Sequence, residues 1–182
     1  MKLFKTALKR IRGELNLKKL KKRGLNVGDN FKHMGECIID PTHCWHIEIG
    51  NDVIFAPRVH ILAHDAGPYL FIGYTKVANV KIGNRVFVGA GTIVLPGVSI
   101  GDDVVIGAGS VVSSDIPSNS LAVGSPARVK KSLKDYISEE KLKMKADNVF
   151  SEQYTLRNPQ FSDKHKKTML DAILTHDQIF VE

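Results

Sequence analysis

A six-residue period runs through the middle of this chain, and few folds can accommodate it. From Ile82 the sequence divides into units beginning at Ile82, Val88, Val94, Ile100, Ile106 and Val112, with glycine next in four of them, at Gly83, Gly89, Gly101 and Gly107. The fifth places are Val86, Thr92, Val98, Val104, Ser110 and Ile116. On an α-helix, positions six apart advance by about 240° around the axis, so no apolar stripe forms. On a strand, positions i, i+4 and i+6 share a face, so each unit buries one branched and one smaller side chain. Glycine then marks the turn that ends each short strand, where the chain bends at angles a Cβ would resist. The pattern predicts a β-solenoid. Fainter units precede it at Val27–Phe31, Ile49–Val53 and Phe55–Val59. The register fails between about Ala63 and Ala78. Residues 65–79, opening with Asp65-Ala66-Gly67-Pro68, are therefore expected to leave the solenoid as an excursion loop of the kind that carries function.

The 182 residues suit one domain with appendages, and 43% hydrophobic with 25% charged residues excludes both intrinsic disorder and a fibrous protein. No apolar run reaches the length of a membrane span, and the N-terminus lacks the apolar core of a signal peptide, so a cytoplasmic location is expected. Cys37 and Cys44 are then expected to be free thiols. The net charge of +7 is unevenly spread. Residues 1–24 hold ten Lys or Arg against Glu14 alone, a balance of +9, so the rest of the chain sums to −2. Leu3, Ala7, Leu8, Ile11 and Leu15 fall at helical spacing, which makes this arm a basic amphipathic helix. Two readings stay open: peripheral contact with an anionic membrane through residues 1–24, or packing on the body with the lysines in water. Nucleic acid is not an expected partner, since no aromatic-studded basic motif accompanies the charge. Because the hexads begin after the arm, Met1–Lys22 is expected to be dispensable for folding. Residues Ser132–Lys145 and Ser162–Leu174 read as helices, Ser162 as an N-cap, and the C-terminal segment is expected to cover the solenoid's open end.

The hexads are joined by the loop start Ile61-Leu62-Ala63-His64-Asp65, the segment Ser113-Ser114-Asp115-Ile116-Pro117 and the exit Val123-Gly124-Ser125-Pro126-Ala127-Arg128. Together they closely resemble the hexapeptide-repeat acyltransferases, in particular the sugar O-acetyltransferases typified by the galactoside and maltose acetyltransferases. The resemblance covers roughly Leu25 to Lys131. It implies an all-β core folded as a left-handed parallel β-helix of triangular section, three hexads to a coil, with N-terminal and C-terminal helical appendages. It further implies a homotrimer with active sites between subunits. Spacing alone does not give the hand, and the general preference for right-handed crossovers points the other way. The segments Ile39–Trp45 and Tyr154–Pro159 look most like the branch whose cytoplasmic members modify sugars destined for surface polysaccharides. The implied plan is an arm over 1–24, the acyltransferase domain over 25–130 and a helical extension over 131–182.

The implied reaction moves an acetyl group from acetyl-CoA, as co-substrate, to a hydroxyl of a sugar, nucleotide sugar or glycan, with no metal required. The hydroxyl must lose its proton as it attacks, and histidine suits that task near neutrality. Among His33, His43, His46, His60, His64, His165 and His176, His64 stands at the loop entry, where the family keeps its catalytic histidine. His60 is the second candidate. Asp65 is expected either to orient His64 or to cap its own turn. Asp40 falls, allowing for a gap, near a family Asn that contacts the acceptor sugar from an adjoining subunit. By resemblance the amide of Ala90 meets the developing oxyanion. Acetyl-CoA then runs along a groove between solenoids, with Ala90 and Ala108 near the pantetheine and Arg128 near the nucleotide. Phe87 stands where the galactoside enzymes have a bulky aromatic and would wall the site. In the segment Ser113-Ser114, Ser114 occupies a place often held by a lysine that meets CoA phosphates, so Lys130 or Lys131 is expected to supply that charge.

Three alternatives remain at this stage: N-acetylation of a nucleotide-linked amino sugar, a zinc hydratase of the γ-carbonic-anhydrase type, and a non-catalytic interaction solenoid. His60 and His64 superficially suit the zinc enzyme, yet it needs a further histidine from a later coil, and none occurs between Ala66 and Lys164. Covalent relay through Cys37 or Cys44 is unneeded, because direct attack on a thioester requires no acyl-enzyme.

Overall fold

Most strands of the chain are only two or three residues long. The computed structural model describes residues 15–182, which divide between Lys134 and Asp135 into two compact units. Residues 1–14, and with them half of the basic arm, lie outside the described residues.

In the first unit three sheets are visited in rotation. The first sheet stacks β1 (Asn26–Val27), β4 (Ile47–Ile49), β9 (Val80–Ile82) and β12 (Ser99–Ile100), and the third stacks β3 (Ile38–Ile39), β6 (His60–Ile61), β11 (Ile93–Val94) and β14 (Val111–Val112). The second runs β2 (Lys32–His33), β5 (Ile54–Phe55), β10 (Val86–Val88), β13 (Val104–Ile106), β15 (Ser120–Gly124), and all these pairings are parallel. Each circuit thus lays three short strands on those of the circuit before. Val86 pairs with Val104 and Ile93 with Val111, a step of 18 residues that is three hexads per circuit. Both the first-place and the fifth-place residues of the hexads are buried, including the small polar pair Thr92 and Ser110. The two hydroxyls satisfy themselves by donating to the carbonyl of Gly107 at 3.1 and 2.7 Å.

The glycines serve a purpose other than the expected one. Gly83, Gly89, Gly101 and Gly107 do not have positive φ; the left-handed corner positions are taken by Asn30, Glu36, Asp52, Arg58, Arg85 and Asp103, with φ between 52° and 63°, and by Gly91 and Gly109. What the second-place glycines supply is room for the next circuit. A Cβ on Gly83 would stand 2.8 Å from the backbone N of Asp102, and one on Gly89 would stand 2.7 Å from the carbonyl carbon of Gly107. At the corner between the first and second sheets, amides that no ladder serves are met by side chains from the neighbouring circuit. Asp29 N donates to Asn51, Asn51 N to Asn84, Asn84 N to Asp102 and Asp102 N to Ser118, at 2.7, 2.9, 2.6 and 3.0 Å.

Two circuits are longer than 18 residues. Asn51 stacks on Asp29 at a separation of 22 and Asn84 on Asn51 at 33. Both surpluses fall at one corner, the return from the third sheet to the first. There, residues 40–46 link β3 to β4 and residues 62–79 link β6 to β9. The second of these is the expected excursion: an antiparallel hairpin of β7 (His64–Asp65) and β8 (Lys76–Val77).

At the N-terminal end, α1 (Leu17–Lys22) starts at Asn16, whose side chain caps Lys19 N at 3.0 Å, and buries Leu20 in the core, with Leu15 and Leu17 packed against it. The described part of the arm therefore packs on the body, and the expectation that Met1–Lys22 is dispensable is corrected: that cut would remove a core side chain. The tip of the excursion carries α2 (Tyr69–Ile72), where Leu70 and Phe71 are each 86% exposed. After the last circuit β15 turns back, through Gly124 and a cis Ser125–Pro126 bond, into the antiparallel β16 (Ala127–Ser132). The helix α3 (Leu133–Lys143) follows. The second unit contains the parallel pair β17 (Val149–Phe150) and β18 (Phe180–Val181), and α4 (Asp163–Thr175) with Ser162 at its N-cap. No helix among the described residues is long and apolar enough to cross a membrane.

Candidate active site

The two enlarged corners stack on one another and bring residues 40–46 against residues 62–79. At their centre is Asp40, 1% exposed. Its Oδ1 accepts from Thr42 N at 3.0 Å, Thr42 Oγ1 at 2.8 Å and His43 N at 3.1 Å; its Oδ2 accepts from Ala63 N at 3.1 Å and His64 Nδ1 at 2.5 Å. Burial by itself would raise this carboxyl's pKa, but the hydrogen bonds from His64, Thr42 and His43 outweigh it and hold the group well below the usual carboxylate range. An ionised carboxylate only accepts, so Nδ1 of His64 must carry the proton, and in the neutral ring the lone pair is on Nε2. That nitrogen has no protein partner among the described residues, and the side chain is 33% exposed. The arrangement is a proton acceptor on a buried mount.

Other rings extend outward from it. The His43 ring is 5.0 Å from that of His64, Trp45 is 5.5 Å from His43, and His46 is 5.9 Å from Trp45. His46 Nδ1 in turn lies 2.7 Å from Oδ1 of Asn79, at the far end of the excursion. Trp45 and Asn79 did not stand out as site residues in the sequence, and His43 and His46 did so only as competing histidines, His43 standing with His60 behind His64. The available signal was the surplus length between β3 and β4, which marks a second departure from the hexad period.

Several expectations are corrected here. Asp40, and not Asp65, orients His64. Asp65 caps its own turn, accepting from Gly67 N at 2.8 Å, and pairs with Lys76 at 3.3 Å, contacts that hold its carboxyl below the usual range. Asp40 also cannot meet an acceptor as the family Asn does, since it is buried and both of its oxygens are already taken. His60 is half-buried on β6 between Ile38 and Ile93 and, among the described residues, is not part of the Asp40–His43–His64 group. Among the described residues, the group able to offer three metal ligands is Asp40, His43 and His64, with ligand atoms within 4.8 Å of one another. It is not the three-histidine set of a γ-type hydratase, and the five donors on Asp40 suit a hydrogen-bonded dyad rather than a metal ligand. Cys37 is buried and burial pushes its thiol pKa up; Cys44 is buried too, so neither suits a nucleophile.

The residues expected around the cofactor sort onto two corners. Ala90 and Ala108 are exposed on successive circuits at the corner between the second and third sheets; Gly109 N donates to the Ala90 carbonyl at 2.8 Å. The same line continues upward, where Val123 packs over Gly107 and pairs with Arg128 of β16. Lys131 pairs with Leu121 on that hairpin. Ser113 and Ser114 are instead exposed at the corner of His64, two circuits further along. Phe87, 40% exposed, lies on β10 of the second sheet between Ile54 and Val105. Within one chain, then, Ala90, Ala108, Arg128 and Phe87 are not brought together with His64.

Comparison with known proteins agrees with this architecture. Residues 79–114 match the family model of the bacterial transferase hexapeptide (six repeats). Protein CapG of Staphylococcus aureus is 36% identical over 171 residues, covering 91% of this chain and 96% of its own. The crystal structure of a maltose O-acetyltransferase from Clostridium difficile 630 superposes with a TM-score of 0.52 at 44% identity, over 58% of this chain and 57% of that one. A galactoside acetyltransferase in complex with coenzyme A matches with a TM-score of 0.50 at 29% identity, over 65% of this chain and 70% of that one.

Proposed function

The chain belongs to the hexapeptide-repeat transferases, and on that premise we propose that it is an acetyl-CoA-dependent O-acetyltransferase acting on a hydroxyl of a sugar or glycan. The observation that carries the reading is the Asp40–His64 pair on the enlarged corner, an imidazole with Nδ1 committed to the carboxylate and Nε2 without a protein partner among the described residues. Nε2 of His64 takes the hydroxyl proton as the oxygen attacks the thioester carbonyl, and Asp40 stabilises the imidazolium so formed. The amide of Ala90 meets the oxyanion. On collapse the carbon–sulfur bond breaks, the proton passes from His64 to the departing sulfur, and an acetyl ester and free CoA result.

The separation of His64 from Ala90 on two corners favours a site assembled from two protomers. In this arrangement one chain contributes His64, Ser113 and Ser114, and its neighbour contributes Ala90, Ala108, Arg128 and Lys131. A homotrimer of left-handed parallel β-helices of triangular section satisfies this, and a neighbour would also cover the exposed Leu70 and Phe71. The small exposed Ala90 and Ala108, in line with the Arg128 guanidinium, suit the narrow pantetheine arm and the phosphates of CoA. In this reading the acceptor is cytoplasmic and belongs to surface polysaccharide biosynthesis, and contact with an anionic membrane would fall to the basic residues of the arm that precede the packed residues 15–22.

Release of free thiol from acetyl-CoA in the presence of pyranosides and glycans tests the activity. His64→Ala is expected to lower kcat by roughly 10²- to 10⁴-fold with CoA affinity little changed. Near-normal turnover by a folded His64→Ala protein would remove the base from this mechanism.

A further inference from the structure

We infer that the indole of Trp45 is the platform on which a pyranose ring of the acceptor stacks, a specificity determinant that rests on the transferase reading above. Trp45 is 54% exposed, although both the preceding Cys44 and the nearby Ile47 are buried. Its backbone is therefore anchored in the core while its largest apolar surface faces outward. The anchoring is tight on the other side as well. Gly24 has φ of 104°, and a Cβ there would stand 2.8 Å from Cβ of Trp45, so only glycine lets α1 end against the tryptophan. Arg23 Nη1 donates to the Pro41 carbonyl at 2.9 Å and ties the same helix end to the corner that carries Asp40.

Such a fixed, solvent-facing indole has little to contribute to the solenoid's own stability. Its position beside the dyad is what gives it a use: Trp45 follows His64 and His43 in a row of rings spaced 5.0 and 5.5 Å apart. A pyranose has a face of C–H groups and an edge of hydroxyls. The C–H face suits the electron-rich face of an indole, and the hydroxyl edge is left to polar partners. Here those partners are the two neighbouring rings, His43 at 5.5 Å and His46 at 5.9 Å, the latter held to Asn79 at 2.7 Å. A sugar stacked on Trp45 presents its hydroxyls, or those of the next residue of a glycan, toward Nε2 of His64. The preorganised ring reduces the ordering cost of binding.

Trp45 is the single tryptophan of the chain, so its emission reports this site alone. The full-length protein is titrated, without acetyl-CoA, with methyl β-galactopyranoside, maltose and N-acetylglucosamine, and the same sugars are assayed for thiol release. The expected result is a saturable change in emission with each sugar that is turned over. Trp45→Ala should raise the KM for that sugar by about tenfold or more, leaving kcat and the KM for acetyl-CoA within about twofold, and Trp45→Phe should recover part of the loss. Unchanged sugar KM in Trp45→Ala, or an emission insensitive to a sugar that is turned over because a neighbouring protomer already covers the indole, would overturn the inference and leave the transferase reading standing. Absence of acetyl transfer to any sugar would overturn both.

Discussion

Asp40 shows how much one buried side chain can organise. It gathers five donors, and an Asn in its place would turn an NH2 toward one of them while losing the charge that steadies an imidazolium. Asp40→Asn is accordingly expected to reduce kcat by about 10²-fold while leaving the KM for acetyl-CoA near its original value. Its signature is the split between the constants: a kcat that stays near the wild-type value would mean the carboxylate does not act through His64. The same group sets a stability window. Because the folded carboxyl is depressed, its contribution is complete above the ordinary carboxyl value of about 3.9 and is lost as pH falls below that toward the folded value. Thermal melts of the wild type should fall through that acid range, and those of Asp40→Asn should be flatter. His64 as the proposed base was legible from sequence, through its place at the loop entry. Its partner was not, because a carboxylate 24 residues away competes on equal terms with the adjacent Asp65 until the circuits are stacked.

At the level of elements the hexad is a packing unit. The apolar first and fifth places face inward, and the glycine after the first place lets the next circuit approach. Gly83→Ala should cost about 1–3 kcal/mol or more, since its methyl would meet backbone atoms of Gly101 and Asp102 that cannot move without disturbing the ladder. Glu36→Gly, at a left-handed corner with φ of 63°, should be tolerated. Chemical denaturation of the two variants checks the pair; comparable losses would contradict the assignment of second-place glycines to clearance rather than to turning. The same period shows where to look for function. Regular circuits carry structure, and the two oversized returns at one corner carry Asp40, His43, Trp45, His46, His64 and Asn79.

For the whole molecule the expectation is an assembly, because the proposed base and oxyanion donor stand on different corners of one chain. Replacing Leu70 and Phe71 together with Lys should weaken that assembly, seen as a lower mass by light scattering, and activity should fall in parallel on dilution. A variant that keeps its mass would show that the excursion tip is not part of the contact. The strand pattern, the buried stripe, the excursion and His64 were all determined by the sequence itself, since a period of six couples alternation within a strand to stacking between circuits, and both are local properties of residue order. The function of the glycines, the packing of Leu20, the choice of Asp40 over Asp65 and the row of rings ending at Trp45 were decided only by tertiary structure. The last two depend on which corner residues come into register across circuits of 22 and 33 positions, and the first two on what the next circuit and the core bring against the glycines and Leu20. That register is set by the summed hydrogen bonds and core contacts of whole circuits, which no short stretch of sequence contains.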